Sequence, residues 1–159
     1  MKELVLTRGF AAIVDDEDYV RLAPFKWTAD VRSNGVYARR NEQDESGRTR
    51  KIYLHRAILG ITDSAVVVDH RDNNPLNNTR CNLRVCCREE NMANQSVRGD
   101  GTSSFKGVYW HKAARKWAAT VGRGKGRHLG LFGSQEEAAR AYDKAARQLF
   151  GEFAKCNFS

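Results

Sequence analysis

Asp69 and His70 stand side by side, Asn82 follows twelve residues after the histidine, and Asn91 follows twenty-one residues after it. A neutral imidazole is a suitable proton acceptor near pH 7. A carboxylate and an amide oxygen are hard donors of the kind that suits a hard divalent cation. Such a set could activate a water beside a metal ion. Asp69 and His70 follow three valines, residues 66–68, which read as a buried strand. Burying a carboxylate and an imidazole is costly unless something pairs with them. Either the fold supplies a partner or the pair does chemistry.

The elements that must position these residues can be read locally. "AVVVDH" is a strand, and "NLRVC" is a second, shorter one. Between them Asn73, Asn74, Asn77 and Asn78 are residues of turn type. "REENMANQSV" reads as a helix in which Asn91 and Asn94, three apart, share a face. The order over residues 65–97 is therefore strand, loop, strand, helix. Neighbouring residues of a strand point to opposite sides. At a strand end, that divergence suits a base and a ligand that flank one reacting centre.

The stretch "LHRAILG…VVVDHRDNNPLNNTRCNLRVCCREENMANQS", about residues 50–97, resembles the HNH nucleases, and more narrowly the phage and intron-encoded HNH homing endonucleases. The resemblance implies a ββα fold around one divalent metal, Mg²⁺ or Mn²⁺, and hydrolysis of phosphodiester bonds. Carried onto this sequence, it makes His70 the general base and Asp69 and Asn91 the metal ligands. Asn82 would brace the loop that holds His70. The family often has histidine at the third position. Asn91, as in the homing branch, implies a two-ligand site that binds metal weakly until DNA phosphate completes the shell. His55 in "YLHR" reads either as a satisfied structural histidine or as support for the metal or a phosphate. Arg71 and Arg84 are candidates to reach phosphate.

Upstream, "ELVLT" and "FAAIV" are short apolar runs. "DDEDYVRLAPF" has acids at the start of a short helix, with Pro24 at its close. Asn34-Gly35 between two strand-like runs signals a hairpin. "RKIYLHRAIL" is open between strand and helix.

Charge is distributed unevenly. The net charge is +8, yet residues 1–97 hold 15 Lys and Arg against 14 Asp and Glu, while residues 98–159 hold 12 against 5. Residues 105–133 carry seven basic residues and no acid. A one-sign segment of that length points to a polyanion partner. The composition shifts at "SVRGDGTSS", where small polar residues replace apolar periodicity. The expected organisation is a first domain over 1–97, a linker over 98–104 and a second domain over 105–159.

In the second domain "KGVYWHK", "KWAATVG" and "RHLGLF" are strand candidates, the last two joined by "GRGKGR". Ser134 and Glu137 have capping-box spacing. Ala138, Ala141, Tyr142, Ala145 and Leu149 then fall on one helix face, and Gly151 is placed to stop the helix. The fold class is α+β: a ββα nuclease domain preceded by short hairpins, then a three-stranded antiparallel sheet packed on one helix.

Residues 105–158 are similar to the plant ethylene-response-factor DNA-binding domain, through "KGVYW", "KWAA", "LGLF", "EEAARAYDKAA" and the closing "NF". That resemblance implies a sheet that enters the major groove of double-stranded DNA, which admits a β-ribbon. Carried onto matching positions, it makes Lys106, Tyr109, His111, Lys116, Thr120 and His128 DNA-facing. Arg115, Arg123, Lys125 and Arg127 join them on charge and loop position alone. Trp117 is taken as core. Tyr109, His111 and His128 stand where the plant pattern has arginine or tryptophan, so the plant target sequence is not expected to transfer.

The four cysteines, at 81, 86, 87 and 156, form no C-x-x-C pair, which leaves a two-pair zinc site unsupported. No apolar run is long enough to span a bilayer, and the first residues lack a signal-peptide core. The expectation is a cytoplasmic protein that works on DNA without an obligate protein partner. Two functions compete. One is a metal-dependent, homing-type endonuclease that nicks or cleaves double-stranded DNA at a site chosen by the basic sheet. The other is a DNA-binding regulator with a catalytically silent HNH fold. An RNA-binding module is disfavoured, because no single-strand stacking motif is present.

Overall fold

The computed structural model describes residues 1–96, 101–122 and 126–158. They form two compact units, Met1–Cys86 and Cys87–Ser159.

In the first unit, β1 (Lys2–Val5) and β2 (Ala11–Val14) pair antiparallel and turn Leu4, Ala12 and Val14 inward. The helix α1 (Asp16–Leu22) carries three acids in its first turn, where the helix dipole favours negative charge. A three-stranded antiparallel meander follows: β3 (Thr28–Arg32), β4 (Gly35–Gln43) and β5 (Thr49–Tyr53). The hairpin signal is displaced by one residue. Arg32 pairs with Gly35, so Ser33 and Asn34 form the turn and Gly35 opens β4. Gly35 has φ of 136°, and a Cβ there would lie 2.9 Å from Pro75 Cγ in the Asn-rich loop.

The ambiguous "RKIYLHRAIL" contains both element types. β5 ends at Tyr53 and α2 (Leu54–Leu59) begins at once, burying Leu54 and Ile58 four residues apart. Next come β6 (Val67–His70) and β7 (Leu83–Cys86), an antiparallel pair. Leu83 joins the core of Leu4, Leu6, Val14, Leu22, Trp27, Leu54 and Ile58, with Val68 and Leu76 packed against it. Core packing thus fixes β6, β7 and the loop between them.

The second unit begins ahead of the expected boundary, with α3 (Arg88–Asn94). Cys87 caps α3: its Sγ accepts from Glu90 N at 3.4 Å, and Glu90 Oε2 accepts from Cys87 N at 2.8 Å. The sheet has the order β8 (Val108–His111), β9 (Lys116–Val121), β10 (Arg127–Phe132). The helix α4 (Gln135–Phe150) starts from the Ser134–Glu137 capping box. Its buried face is Ala138, Ala139, Tyr142, Ala145 and Ala146. Leu149 is 51% exposed, so the stripe is rotated from the expected one. Small side chains on several faces made the two stripes hard to separate by pattern.

The expected linker 98–104 is corrected in part. Residues 97–100 lie outside the described residues. Ser103, however, is buried, donates to Gln135 Oε1 at 2.8 Å and accepts from Phe105 N at 3.1 Å. Thr102 Oγ1 accepts from Trp110 N at 3.0 Å. This serine and threonine therefore belong to the folded second unit.

Candidate active site and nucleic-acid interface

Asp69 and His70 close β6 and are 5% and 7% exposed. The antiparallel register sets Asp69 opposite Arg84 and His70 opposite Leu83. Arg84 Nε and Nη2 both reach Asp69 Oδ2, at 2.9 and 2.8 Å. Arg84 is itself buried. The partner that the sequence reading sought for the carboxylate is thus present in the fold. Arg84 is not a solvent-facing phosphate contact in this structure; its guanidinium lies on Asp69. Residues directly opposite on facing antiparallel strands interact, but the register that opposes these two is fixed only in the fold.

His70 sits among polar and aromatic neighbours. Its Nε2 lies 3.4 Å from Asn78 Oδ1, which favours the tautomer with the proton on Nε2. The rings of His55 and Tyr37 lie edge-on at centroid distances of 5.3 and 6.5 Å. Burial pushes His70 below its ordinary value, against the opposing pull of Asn78, Asp72 and Asp69. The ring therefore tends to be neutral, the form that accepts a proton. His55 stacks on Tyr53 at 5.7 Å. Burial, reinforced by His70, Arg56 and Arg32, lowers it to about 3.

The loop that follows His70 is held from several sides. Asn82 Oδ1 accepts from Asp72 N at 3.1 Å, while Nδ2 donates to Asp72 Oδ1 at 2.9 Å and to Asn77 O at 2.7 Å. Asn78 is 1% exposed; its Nδ2 donates to Pro75 O, and its N donates to Ile13 O of β2. Arg80 grips buried Asp18 of α1 through Nε and Nη2, at 2.8 and 2.9 Å. Burial acts to raise the Asp18 carboxyl, but Arg80 and Arg21 outweigh it and hold it below the usual range. Arg71 is exposed on this loop. Asn91 lies on α3, in the second unit, half-buried.

In the sheet of the second unit, Tyr109 pairs with Ala118, His111 with Lys116, and Thr120 with His128. Directly opposed residues share a face, as do alternate residues of one strand. Tyr109, His111, Lys116, Thr120 and His128 therefore lie on one face. Val108, Trp117, Ala119 and Phe132 pack with Ala138 and Ala139 on the other. His111 Nδ1 accepts from Ala114 N at 3.1 Å, which fixes the turn carrying Arg115. Arg115 is exposed, at φ of 50°. Arg127 pairs with buried Val121, so it is in a row of the core-facing side although exposed itself. Arg123 and Lys125 lie outside the described residues.

Lys106 departs from its expected place. Its ammonium donates to Ala93 O, to Gln95 O at 2.6 Å and to Met92 O at 3.3 Å, at the C-terminal end of α3. Burial and the nearby Lys155 pull it down to about 8, so it stays mostly protonated at pH 7.

Comparison with known proteins places these features in a family. Over 94% of its length the chain is 31% identical to a protein of Acanthamoeba polyphaga mimivirus named "Uncharacterized HNH endonuclease L560", and the match covers 76% of that protein. The chain belongs to the HNH endonuclease family. A second relative is "Protein 3.8" of Escherichia phage T7, 34% identical over 67% of this chain and 88% of the phage protein. Residues 103–152 match the AP2 domain. Over 36% of the chain, "APETALA2-like protein 2" of Oryza sativa subsp. indica is 48% identical, across 14% of the plant protein. No solved structure matches.

In this HNH family member, the donor types suit a hard cation. Asp69 offers a carboxylate whose contacts with Arg84 both fall on Oδ2, and Asn91 offers an amide oxygen. Among the described residues, no group of three or more His, Cys, Asp or Glu could hold a metal ion. Tyr37, Asn78 and Asp72 were not singled out for the site by sequence reasoning. Asn78 and Asp72 were hidden among turn residues of one composition, and Tyr37 comes from a distant strand. Among the described residues, no helix is long and apolar enough to cross a membrane.

Proposed function

We propose that the chain is a metal-dependent endonuclease of the homing type that hydrolyses phosphodiester bonds in double-stranded DNA. The carrying observation is the buried Asp69–His70 pair at the end of β6, with the His70 ring biased to its neutral form. The 31% identical viral relative, named as an HNH endonuclease, and the AP2 match support the same reading. His70 takes the proton of the attacking water, worth about 10²–10⁴-fold in rate. Asn78 and Asn82 hold the ring and its loop in place. Asp69 and Asn91 would hold Mg²⁺ or Mn²⁺. When bound, such a cation polarises the phosphoryl group and neutralises developing charge. The face of Tyr109, His111, Lys116, Thr120 and His128 would bind the target duplex.

The test is cleavage of supercoiled plasmids that tile the DNA of the source, with Mg²⁺, Mn²⁺ and EDTA, beside His70→Ala. Metal-dependent cutting that disappears in the variant is the expected result. A second reading, a DNA-binding regulator with a silent site, is favoured by the Arg84 guanidinium on Asp69. Salt-sensitive binding without cutting under any metal would select it.

A further inference from the structure

Among the described DNA-facing candidates, Lys106 is spent inside the protein. The carbonyls that it reaches, Met92 O, Ala93 O and Gln95 O, lie at the C-terminal end of α3. The last carbonyls of a helix have no intrahelical donor, and the dipole favours a cation there. The lysine is anchored in turn. Lys106 N donates to Asn157 Oδ1 at 2.6 Å, and Asn157 Nδ2 donates to Lys106 O at 3.2 Å. Asn157 N donates to Asp143 Oδ1 at 2.8 Å. Asp143 is buried in α4 and also accepts from Phe158 N at 2.9 Å. Lys155 N adds a bond to Ala93 O at 3.0 Å. A continuous path of hydrogen bonds thus runs from α4 through Asn157 and Lys106 to the end of α3.

α3 has seven residues, too few to be stable as an isolated helix. The Cys87–Glu90 capping box closes its start, and Lys106, with Lys155 N and the burial of Ala93 and Asn94, ties its end to the rest of the unit. Asn91 lies within a turn of the clamped carbonyls. We infer that Lys106 is a positioning residue for Asn91, holding α3 to the AP2 unit so that the asparagine is oriented as a metal ligand. This rests on the reading of Asn91 as a ligand.

Residues that orient a ligand are worth about 10–100-fold in metal affinity. The test compares wild type, Lys106→Met, Lys106→Arg, Asn91→Ala and the Lys106→Met/Asn91→Ala double variant. Three quantities are read: half-saturating Mg²⁺ in plasmid cleavage, affinity for DNA in EDTA, and amide hydrogen exchange over residues 88–96.

In Lys106→Met the half-saturating Mg²⁺ is expected to rise by about 10–100-fold, with the rate recovered at saturating metal. DNA affinity stays within about twofold, because Lys106 is not on the sheet face. Exchange in α3 speeds up while β8–β10 are unchanged. Lys106→Arg partly restores both, and carries the test if the methionine variant fails to fold. The double variant is no worse than Asn91→Ala. A weakened DNA affinity with an unchanged Mg²⁺ response would make Lys106 a DNA contact and overturn the inference. Unchanged exchange and unchanged metal response would overturn it as well. Asn91→Ala, assayed first, separates the two levels: a wild-type Mg²⁺ response there removes Asn91 as ligand whatever the lysine variants do.

Discussion

Asp69 and Arg84 are direct cross-strand neighbours, and both Nε and Nη2 of the arginine reach the same carboxylate oxygen, Oδ2. Both side chains are buried. Removing one member of such a pair takes the opposite charge and its hydrogen bonds away from a buried ionised group. Arg84→Met is therefore expected to lower unfolding free energy by about 3–5 kcal/mol. Asp69→Leu/Arg84→Met should be less destabilised than the two single variants sum to. Urea unfolding of the four proteins checks this, and a strictly additive double variant would refute the coupling.

His55 gives the fold a pH dependence of definite sign. Its folded value of about 3 is below the ordinary 6.5, so the unfolded chain binds the proton first as pH falls. Stability is fully present above pH 6.5 and declines from there towards pH 3, at most by about 1.4 kcal/mol per pH unit for this group. His55→Phe should show a shallower decline between pH 6.5 and 4.5 than wild type. Equal slopes in the two proteins would show that His55 does not carry the effect.

Asn82 uses its amide in both senses, accepting from Asp72 N and donating to Asp72 Oδ1 and Asn77 O. Asn82→Ala should cost about 1–3 kcal/mol, because it leaves those groups short of partners. Asn82→Asp is the sharper probe. It sets a carboxylate against Asp72, so it should be worse than alanine at pH 7 and recover at pH 4. Calorimetric melting of both variants at the two pH values decides it.

Much of this was readable from the chain. The strands at 67–70 and 83–86, the capping box at Ser134 and the sheet of the second unit follow from period, turn chemistry and caps. Three things did not. Arg84 as the partner of Asp69 needs the strand register, which the sequence leaves free. The inward course of Lys106 needs knowledge of where α3 ends in space. The buried stripe of α4 was blurred by alanines on several faces, which carry no strong directional signal.

The face of Tyr109, His111, Lys116, Thr120 and His128 has a single lysine, with further cations at strand ends and turns. If about five phosphates are neutralised, log K should fall with log[salt] at a slope of roughly −4.5. Fluorescence anisotropy across a salt series measures the slope. A slope near zero would mean that the sheet does not meet a phosphate backbone. Lys106→Met should leave the slope unchanged, whereas Lys116→Met should reduce its magnitude by about one.

The division of the chain at Cys86–Cys87 governs where it can be recombined with its relatives. A graft that begins at residue 103, the start of the AP2 match, would bring Lys106 without the carbonyls of Met92, Ala93 and Gln95 that it binds. The incoming lysine would lose the carbonyls that hold it, and the remaining helix would have an open end. A chimera joined after Cys86 carries α3 together with its clamp. The transferable module is therefore longer than the domain that sequence similarity outlines.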